Sequence, residues 1–357
     1  MSQFNTERLK QLVSYAIRGT GYVKGIELSD KIGIRIANGR LELNSMDGTN
    51  YLCVSDECVS DDIDVVVYAD LFSKLISKIT SETVSLTVVD DIKLEVEGNG
   101  KYTIELVPDD KGNLLSFPNK FPESAEVIGE VDASDMVAVN TTLQASLSTI
   151  AGNVYANYYF GDVIASTDRA MMAIFNHKAF NSAILFNRQF VDLMTLGTSA
   201  ITISELDDTI MAQINLDDTG RISICTKKSP DIDKFEIDGI RKFVSMELKS
   251  FCRIRKAEIL ALLDRMSLVV SRFDDGAIYL DFTKSYLEIS SLASSGVERI
   301  EYTECKEPVE LKVKINIDRL RNQLKSYSSD MVDLYYGSDL CIKLVDGDMT
   351  QLIALMK

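Results

Sequence analysis

The chain has 357 residues, 46% apolar and 26% charged, with 38 Lys and Arg against 54 Asp and Glu, so its formal net charge is −16. That balance is globular and long enough for two or three domains. It excludes a disordered or collagen-like chain, offers no run of eighteen apolar residues to cross a membrane, and at first sight argues against a nucleic-acid partner.

The opening residues MSQFNTERLK carry no apolar signal core. Thr6–Arg18 reads as an amphipathic helix with Leu9, Leu12, Val13, Ala16 and Ile17 on one stripe. Gly19-Thr20-Gly21 follows as a helix stop and lacks the third glycine of a dinucleotide fingerprint. GIELSDKIGIRIANGRLELNS then alternates about Asn38-Gly39, a hairpin signal. Ala69–Ile79 predicts a second helix, with Leu71, Leu75 and Ile76 apolar, and the strand-like TSETVSLTV closes the segment.

Pro108, Pro118 and Pro122 mark a joint, and Pro230 in KKSPDIDKFEIDG marks another. They divide the chain into 1–120, 121–245 and 246–357, three pieces of nearly equal size. The order helix, hairpin, helix, strand recurs in each piece. In the second piece the helices are Asp132–Ile150 (Met136, Val139, Leu143, Leu147) and Asn187–Leu196 (Phe190, Leu193, Met194), with a hairpin at Thr219-Gly220. In the third they are Arg253–Arg272 (Ile259, Leu260, Leu263, Met266) and Asn316–Tyr327 (Ile317, Leu320, Leu324), with a hairpin at Thr283–Ser285. The pattern predicts an α+β fold of three repeated domains, each with two helices on antiparallel sheets.

Catalytic chemistry finds little support. His177 is the single histidine and lies in FNHKAF with no Ser or Cys arranged around it. No GxxxxGK[ST] phosphate loop is present. The acidic pairs Asp61-Asp62, Asp90-Asp91, Asp109-Asp110, Asp207-Asp208, Asp217-Asp218 and Asp274-Asp275 mostly border turn signals, where Asp caps its own backbone. A metal-dependent hydrolase built on such a pair is the alternative they leave open. Cys53, Cys58, Cys225, Cys252, Cys305 and Cys341 form no CxxC pair and read as reduced thiols of a cytoplasmic protein.

Charge is unevenly placed. The six helical segments sum to +6, so the remainder sums to −22. Helices on one common side would make that side basic within an acidic shell, a surface that holds a polyanion without reading its sequence. The third piece carries most of the basic charge and the second almost none, so such a lining would be uneven.

Val67–Ile79 (VYADLFSKLISKI) and Tyr155–Ala173 (YANYYFGDVIASTDRAMMA) resemble segments of the bacterial beta sliding clamp, the processivity subunit of DNA polymerase III. The family's Thr-Asp-Gly-His-Arg-Leu-Ala motif reads here Thr167-Asp168-Arg169-Ala170-Met171-Met172-Ala173, so Thr167, Asp168 and Ala173 match. Lys234-Phe235 resembles the close of the second domain, with Glu236 where the family has Pro. The ending QLIALMK resembles the last strand, with Leu355 in place of another Pro.

The resemblance implies a non-catalytic, cofactor-free, divergent clamp in the cytoplasm, associated with the nucleoid. Two copies would close head to tail into a ring around double-stranded DNA, helices inside, with Tyr102 and Ile104 of one copy facing Val269 and Val270 of the other. An ATP-driven clamp loader would place it there, since the chain has no nucleotide site. With the charge split, the cations expected to face the duplex are Arg8, Lys10, Lys24, Lys74, Lys78, Arg188, Arg253, Arg255, Arg265, Arg319 and Arg321. The resemblance further implies a pocket for short peptides of the replicative polymerase, the loader and other peptide-motif proteins. It would use Thr167, Met171, Met172, Leu352, Ile353, Ala354, Leu355 and Met356.

Overall fold

The computed structural model describes the chain apart from residues 1, 60, 110, 122–123, 272–273 and 294. Asp110, Pro122 and Arg272, used above as turn, joint and helix end, lie outside the described residues. Among the described residues are seven α-helices: α1 Thr6–Ala16, α2 Ala69–Lys78, α3 Ala133–Thr142, α4 Arg188–Met194, α5 Ile237–Val244, α6 Lys256–Met266 and α7 Ile317–Ser326. All strand pairings are antiparallel, so the fold is α+β as the periodicity predicts. None of these helices is long and apolar enough to cross a membrane.

The chain divides into two compact units, Met1–Met136 with Gln189–Lys228, and Val137–Arg188 with Ser229–Lys357. The cut passes through α3 and α4, so the middle third of the sequence contributes to both units.

The first unit is built on an eight-stranded sheet in the order Ile63–Tyr68, Lys31–Ala37, Arg40–Met46, Asn50–Glu57, Arg221–Lys227, Thr209–Asn215, Ala200–Leu206, Glu126–Asp132. Asn38 (φ 53°) and Gly39 (φ 74°) make the expected tight hairpin, because both adopt the left-handed region that its turn requires. Helix α1 buries Leu9, Leu12, Val13 and Ala16, and the Asn5 side chain caps it by accepting from the Arg8 amide at 3.0 Å. Each large side chain of that stripe contributes roughly 1.5–3 kcal/mol on burial. Gly19 ends the following turn against Ser45 and Leu52; a Cβ there would lie 2.4 Å from the Ser45 hydroxyl. A four-stranded sheet, Ser2–Asn5, Thr83–Val89, Lys93–Glu97, Lys101–Glu105, completes the unit.

The second unit repeats the plan. Its nine-stranded sheet runs Ile184–Asn187, Asn157–Phe160, Ile164–Thr167, Met171–Phe175, Met349–Ala354, Cys341–Asp346, Met331–Tyr336, Ser250–Arg255, Glu304–Lys306. Its four-stranded sheet runs Val297–Glu301, Tyr286–Ser291, Ala277–Phe282, Leu311–Asn316. Helices α6 and α7 pack together over a core that includes Ile254, Leu263, Phe282, Leu320 and Leu334. A buried polar network ties α7 to the sheet and to the turn after α3. Gln351 donates to the Thr142 carbonyl (3.3 Å) and the Ser326 hydroxyl (2.8 Å), and Gln323 donates to the Ser146 hydroxyl (2.6 Å).

Several boundaries differ from the periodicity. Arg253 and Arg255 belong to strand Ser250–Arg255, and α6 begins only at Lys256. The segment Asp132–Ile150 is helical only through Thr142, then tightens into a 3-10 turn over Leu143–Ser146. Asn140, Thr141 and Thr142 are weak helix formers that compete for backbone bonds. Helix α2 buries Ala69, Phe72 and Ile76, whereas Leu71 is 52% exposed. Helix α5 was not anticipated: it is eight residues long and buries only Ile240. The acidic turns form as expected. Asp90, Asp91, Asp207 and Asp275 have φ between 51° and 56°, and the Asp217 carboxylate accepts from the amides of Thr219 and Gly220.

Candidate docking surfaces for peptide and nucleic acid

The Thr167–Met172 turn organises one surface of the second unit. Thr167 Oγ1 donates to the Met171 carbonyl at 2.8 Å and accepts from the Arg169 amide at 2.9 Å. Asp168 Oδ1 accepts from the amides of Ala170 (2.8 Å) and Met171 (2.6 Å). These bonds hold Arg169 at φ 75°, left-handed backbone that suits glycine. Arg169 occupies the position where the clamp motif has Gly. Its guanidinium lies 5.0 Å from the centre of the Tyr155 ring and 3.9 Å from a Glu236 carboxylate oxygen.

Because strand residues alternate between faces, neighbouring methionines go to opposite sides of the sheet. Met172 is paired with Leu352, and both pack towards α5 and its flanking chain. Met171 is paired with Ile353, which is fully buried in the core under α6 and α7. An open pocket of about 310 Å³ lies on the α5 side, bounded by Tyr155, Thr167, Arg169, Met172, Ile240 and Phe243. Tyr155 in its wall is backed by an aromatic cluster: Phe235 meets Tyr155 and stacks on Tyr159, ring centres 5.4 Å apart in each pair. Burial raises the Tyr159 pKa, with the nearby Asp162 carboxylate adding to it. Lys343 fixes α5 by donating to the carbonyls of Val244 and Met246, each at 2.7 Å.

The eight expected pocket residues therefore separate. Thr167 and Met172 line the pocket, and Leu352 lies beneath it on the same face. Met171 lines a wider groove on the other face, with Asp168, Arg188 and Lys325, and Ile353 is core. Leu355 packs partly against that core, and Ala354 and Met356 bond through their amides to Ala170 and Lys314. Tyr155, Arg169, Ile240 and Phe243 were missed. The signal for α5 was present only as the apolar spacing of Ile237, Ile240 and Val244 after Pro230.

Seven of the eleven expected duplex-facing cations pair with carboxylates. Arg8 meets Asp56 (2.6 Å) and Asp217 (2.8 Å), Lys10 meets Glu7, and Lys74 meets Asp70. Arg253 is held between Asp333 (2.6 Å) and Glu304 (2.9 Å). Arg255 meets Glu258, Arg265 meets Glu298, and Arg321 meets Asp318 and Asp264. Lys24, Lys78 and Arg319 make no ion pair among the described residues, and Arg188 lies against the Gln144 amide. Most of these pairs are solvent-exposed and weak, so a phosphate can still recruit the cations. Of the residues expected at the junction between copies, Tyr102 and Val269 are exposed, Val270 packs partly on the core, and Ile104 is buried.

Helix pairs laid on long antiparallel sheets, with an open pocket beside α5 on the sheet face opposite α6 and α7, define a clamp-type fold. No protein-family profile and no curated protein sequence matches the chain. Solved structures match it along its whole length. The beta subunit from DNA polymerase of Streptococcus pyogenes superposes with a TM-score of 0.82 at 13% identity, covering 100% of this chain and 99% of that one. DNA polymerase III subunit beta from Borrelia burgdorferi, solved in complex with a natural product, gives 0.83 at 14% identity, covering 100% and 99%. The Pseudomonas aeruginosa subunit gives 0.82 at 12%, covering all of both chains. The chain has the fold of the bacterial beta sliding clamp from end to end, at an identity that fits a divergent sequence.

Proposed function

We propose that this chain is a DNA polymerase processivity factor, a sliding clamp that encircles duplex DNA and tethers a polymerase without catalysing a reaction. The full-length correspondence to the beta clamp fold carries this reading. We assign three clamp domains, 1–120, 121–245 and 246–357, and a cytoplasmic protein that acts on the nucleoid. An ATP-driven loader opens and closes the ring, and the pocket beside α5 receives hydrophobic anchors of the polymerase, the loader and other peptide-motif proteins.

The sheets support closure by a second copy. Within each unit, adjacent pieces share one continuous sheet, through Asn50–Glu57 with Arg221–Lys227 and through Met171–Phe175 with Met349–Ala354. Each four-stranded sheet instead ends on an edge strand, Lys101–Glu105 in one and Val297–Glu301 in the other. Joining these edges between two copies would satisfy their open backbone groups and repeat the internal junctions. Tyr102 and Val269 would flank that junction. Lys24, Lys78, Arg188 and Arg319, with the paired Arg8, Lys10, Lys74, Arg255, Arg265 and Arg321, would supply the basic surface met by phosphates, whereas Arg253 is committed to Asp333 and Glu304 on the sheet.

Sedimentation of the purified protein is expected to give a dimer of twice 39.7 kDa. Placed on nicked circular DNA by a clamp loader, the protein stays bound until the circle is linearised and then slides off. Equal release from circular and linear DNA refutes encirclement. A clamp-like peptide binder would keep peptide affinity and show no topological retention.

A further inference from the structure

Six cysteines are free thiols, and two of them face each other across one pair of strands. Cys252 on Ser250–Arg255 is the register partner of Cys305 on Glu304–Lys306, the outermost strand of the nine-stranded sheet. The next pair along, Arg253 and Glu304, bonds at 2.9 Å on the solvent face, so alternation turns both thiols to the inner face. There they share a core with Tyr302, Leu334 and Tyr336. Cys252 is fully buried and Cys305 half-buried at the sheet edge, so a reagent reaches the pair through Cys305.

The remaining cysteines offer no equivalent. The register partner of Cys53 is Ser223 and that of Cys225 is Tyr51, which makes those two thiols diagonal neighbours. Diagonal positions on antiparallel strands lie roughly 7–8 Å apart, beyond the reach of a disulfide, whereas opposed Cβ atoms lie about 4.5–5.5 Å apart. Closing an S–S bond from there needs an inward shift of about 1 Å. A three-residue edge strand, paired on one side only, can supply it.

We propose that Cys252 and Cys305 form a dithiol site that takes up a disulfide from low-molecular-weight disulfides of the glutathione type. The Cys305 thiol gives its proton to solvent, and the thiolate attacks one sulfur of glutathione disulfide. A mixed disulfide forms and one glutathione leaves as thiolate. The Cys252 thiol then loses its proton and attacks the Cys305 sulfur, which forms the Cys252–Cys305 bond and expels the second glutathione. The protein loses two electrons and two protons, and one small disulfide becomes two thiols. Cys252, fully buried, is out of reach of the small disulfide and so acts second, as the resolving thiol. The bond closes a loop over 253–304 that contains α6 and fastens the edge strand to the sheet.

Full-length protein equilibrated with glutathione disulfide is expected to lose two hydrogens in intact mass, with no retained adduct. Non-reducing proteolysis should join the Cys252 and Cys305 peptides. Cys252→Ala is expected to stop at a stable glutathione adduct on Cys305, and Cys305→Ser to gain neither adduct nor bond at Cys252. Cys305 lies at the half-buried edge, so the second variant keeps the test open if the core substitution does not fold. A wild-type adduct on Cys305 that never resolves overturns the proposal. So does a cross-link joining either thiol to a different cysteine.

Discussion

The Lys343 ammonium donates to the carbonyls of Val244 and Met246, each at 2.7 Å, and so ties the strand Cys341–Asp346 to the C-terminal end of α5. A cation at that end of a helix satisfies orphan carbonyls and complements the helix dipole. Burial lowers the Lys343 pKa, which measures what the position costs the charged form. Since α5 carries Ile240 and Phe243 on one wall of the pocket, the bond fixes pocket width. Lys343→Met keeps the aliphatic stem and removes the donors. We expect stability lower by about 1 kcal/mol, faster amide exchange across 237–246, and several-fold weaker peptide binding. Unchanged exchange in that segment would refute the positioning role.

The two adjacent methionines separate packing from docking. Met172 borders the pocket and Met171 faces the opposite groove. Met172→Ala should weaken a hydrophobic peptide roughly tenfold, as expected when one apolar wall of an anchor pocket is truncated. Met171→Ala should leave the peptide Kd within about twofold and lower stability by about 2 kcal/mol, a modest core truncation. Calorimetric titration and chemical denaturation of both variants read the two effects independently.

Arg169 holds left-handed backbone at φ 75° while its guanidinium covers Tyr155. Arg169→Ala removes the side-chain interactions and leaves the backbone strain, whereas Arg169→Gly removes both. The glycine variant should therefore melt roughly 2–4 °C above the alanine variant. The reverse order would mean that the turn bonds of Thr167 and Asp168 do not impose that conformation.

Asp346 predicts an acid-sensitive element. Burial pushes its carboxyl up, but hydrogen bonds from the hydroxyls and amides of Ser328 and Ser329 outweigh this, and its pKa lies below the ordinary carboxylate value. A carboxylate whose folded pKa is depressed contributes stability above its unfolded value of about 4. It loses that contribution as pH falls through the folded value. Asp346→Asn should flatten the stability profile below about pH 4 and lie below the wild type at pH 7. Urea midpoints at pH 3 and pH 7 check this; identical slopes for the two proteins would rule it out.

What the sequence made legible follows from periodicity. Helices α1, α2, α4 and α7 have amphipathic stripes and end near small or polar residues, so their extents were readable within two residues. Arg253 was not, because SFCRIR runs into Lys256 with no cap between strand and helix. The pocket was half legible. Thr167 and Asp168 are visible as a motif, but which methionine faces α5 is decided by the register of Met171–Phe175 against the C-terminal strand. That pairing joins residues about 180 positions apart, beyond any local pattern. The opening charge of −16 also hides that seven of the eleven candidate cations have carboxylate partners, which only the tertiary fold brings together.

The paired and unpaired cations predict different phenotypes under charge reversal. Lys78 and Arg319 make no ion pair among the described residues, so Lys78→Glu and Arg319→Glu should leave the melting temperature within about 2 °C. Each should weaken retention on circular DNA and reduce the salt dependence by about 0.9 in log–log slope for one phosphate no longer neutralised. Arg253 is committed to Asp333 and Glu304 on the sheet, so Arg253→Glu sets three carboxylates against one another. Its melting temperature should fall well below that of either helix variant, and the slope of DNA binding against salt should change little. A reduced slope for Arg253→Glu with an unchanged melting temperature would instead make Arg253 a phosphate ligand and its ion pairs dispensable.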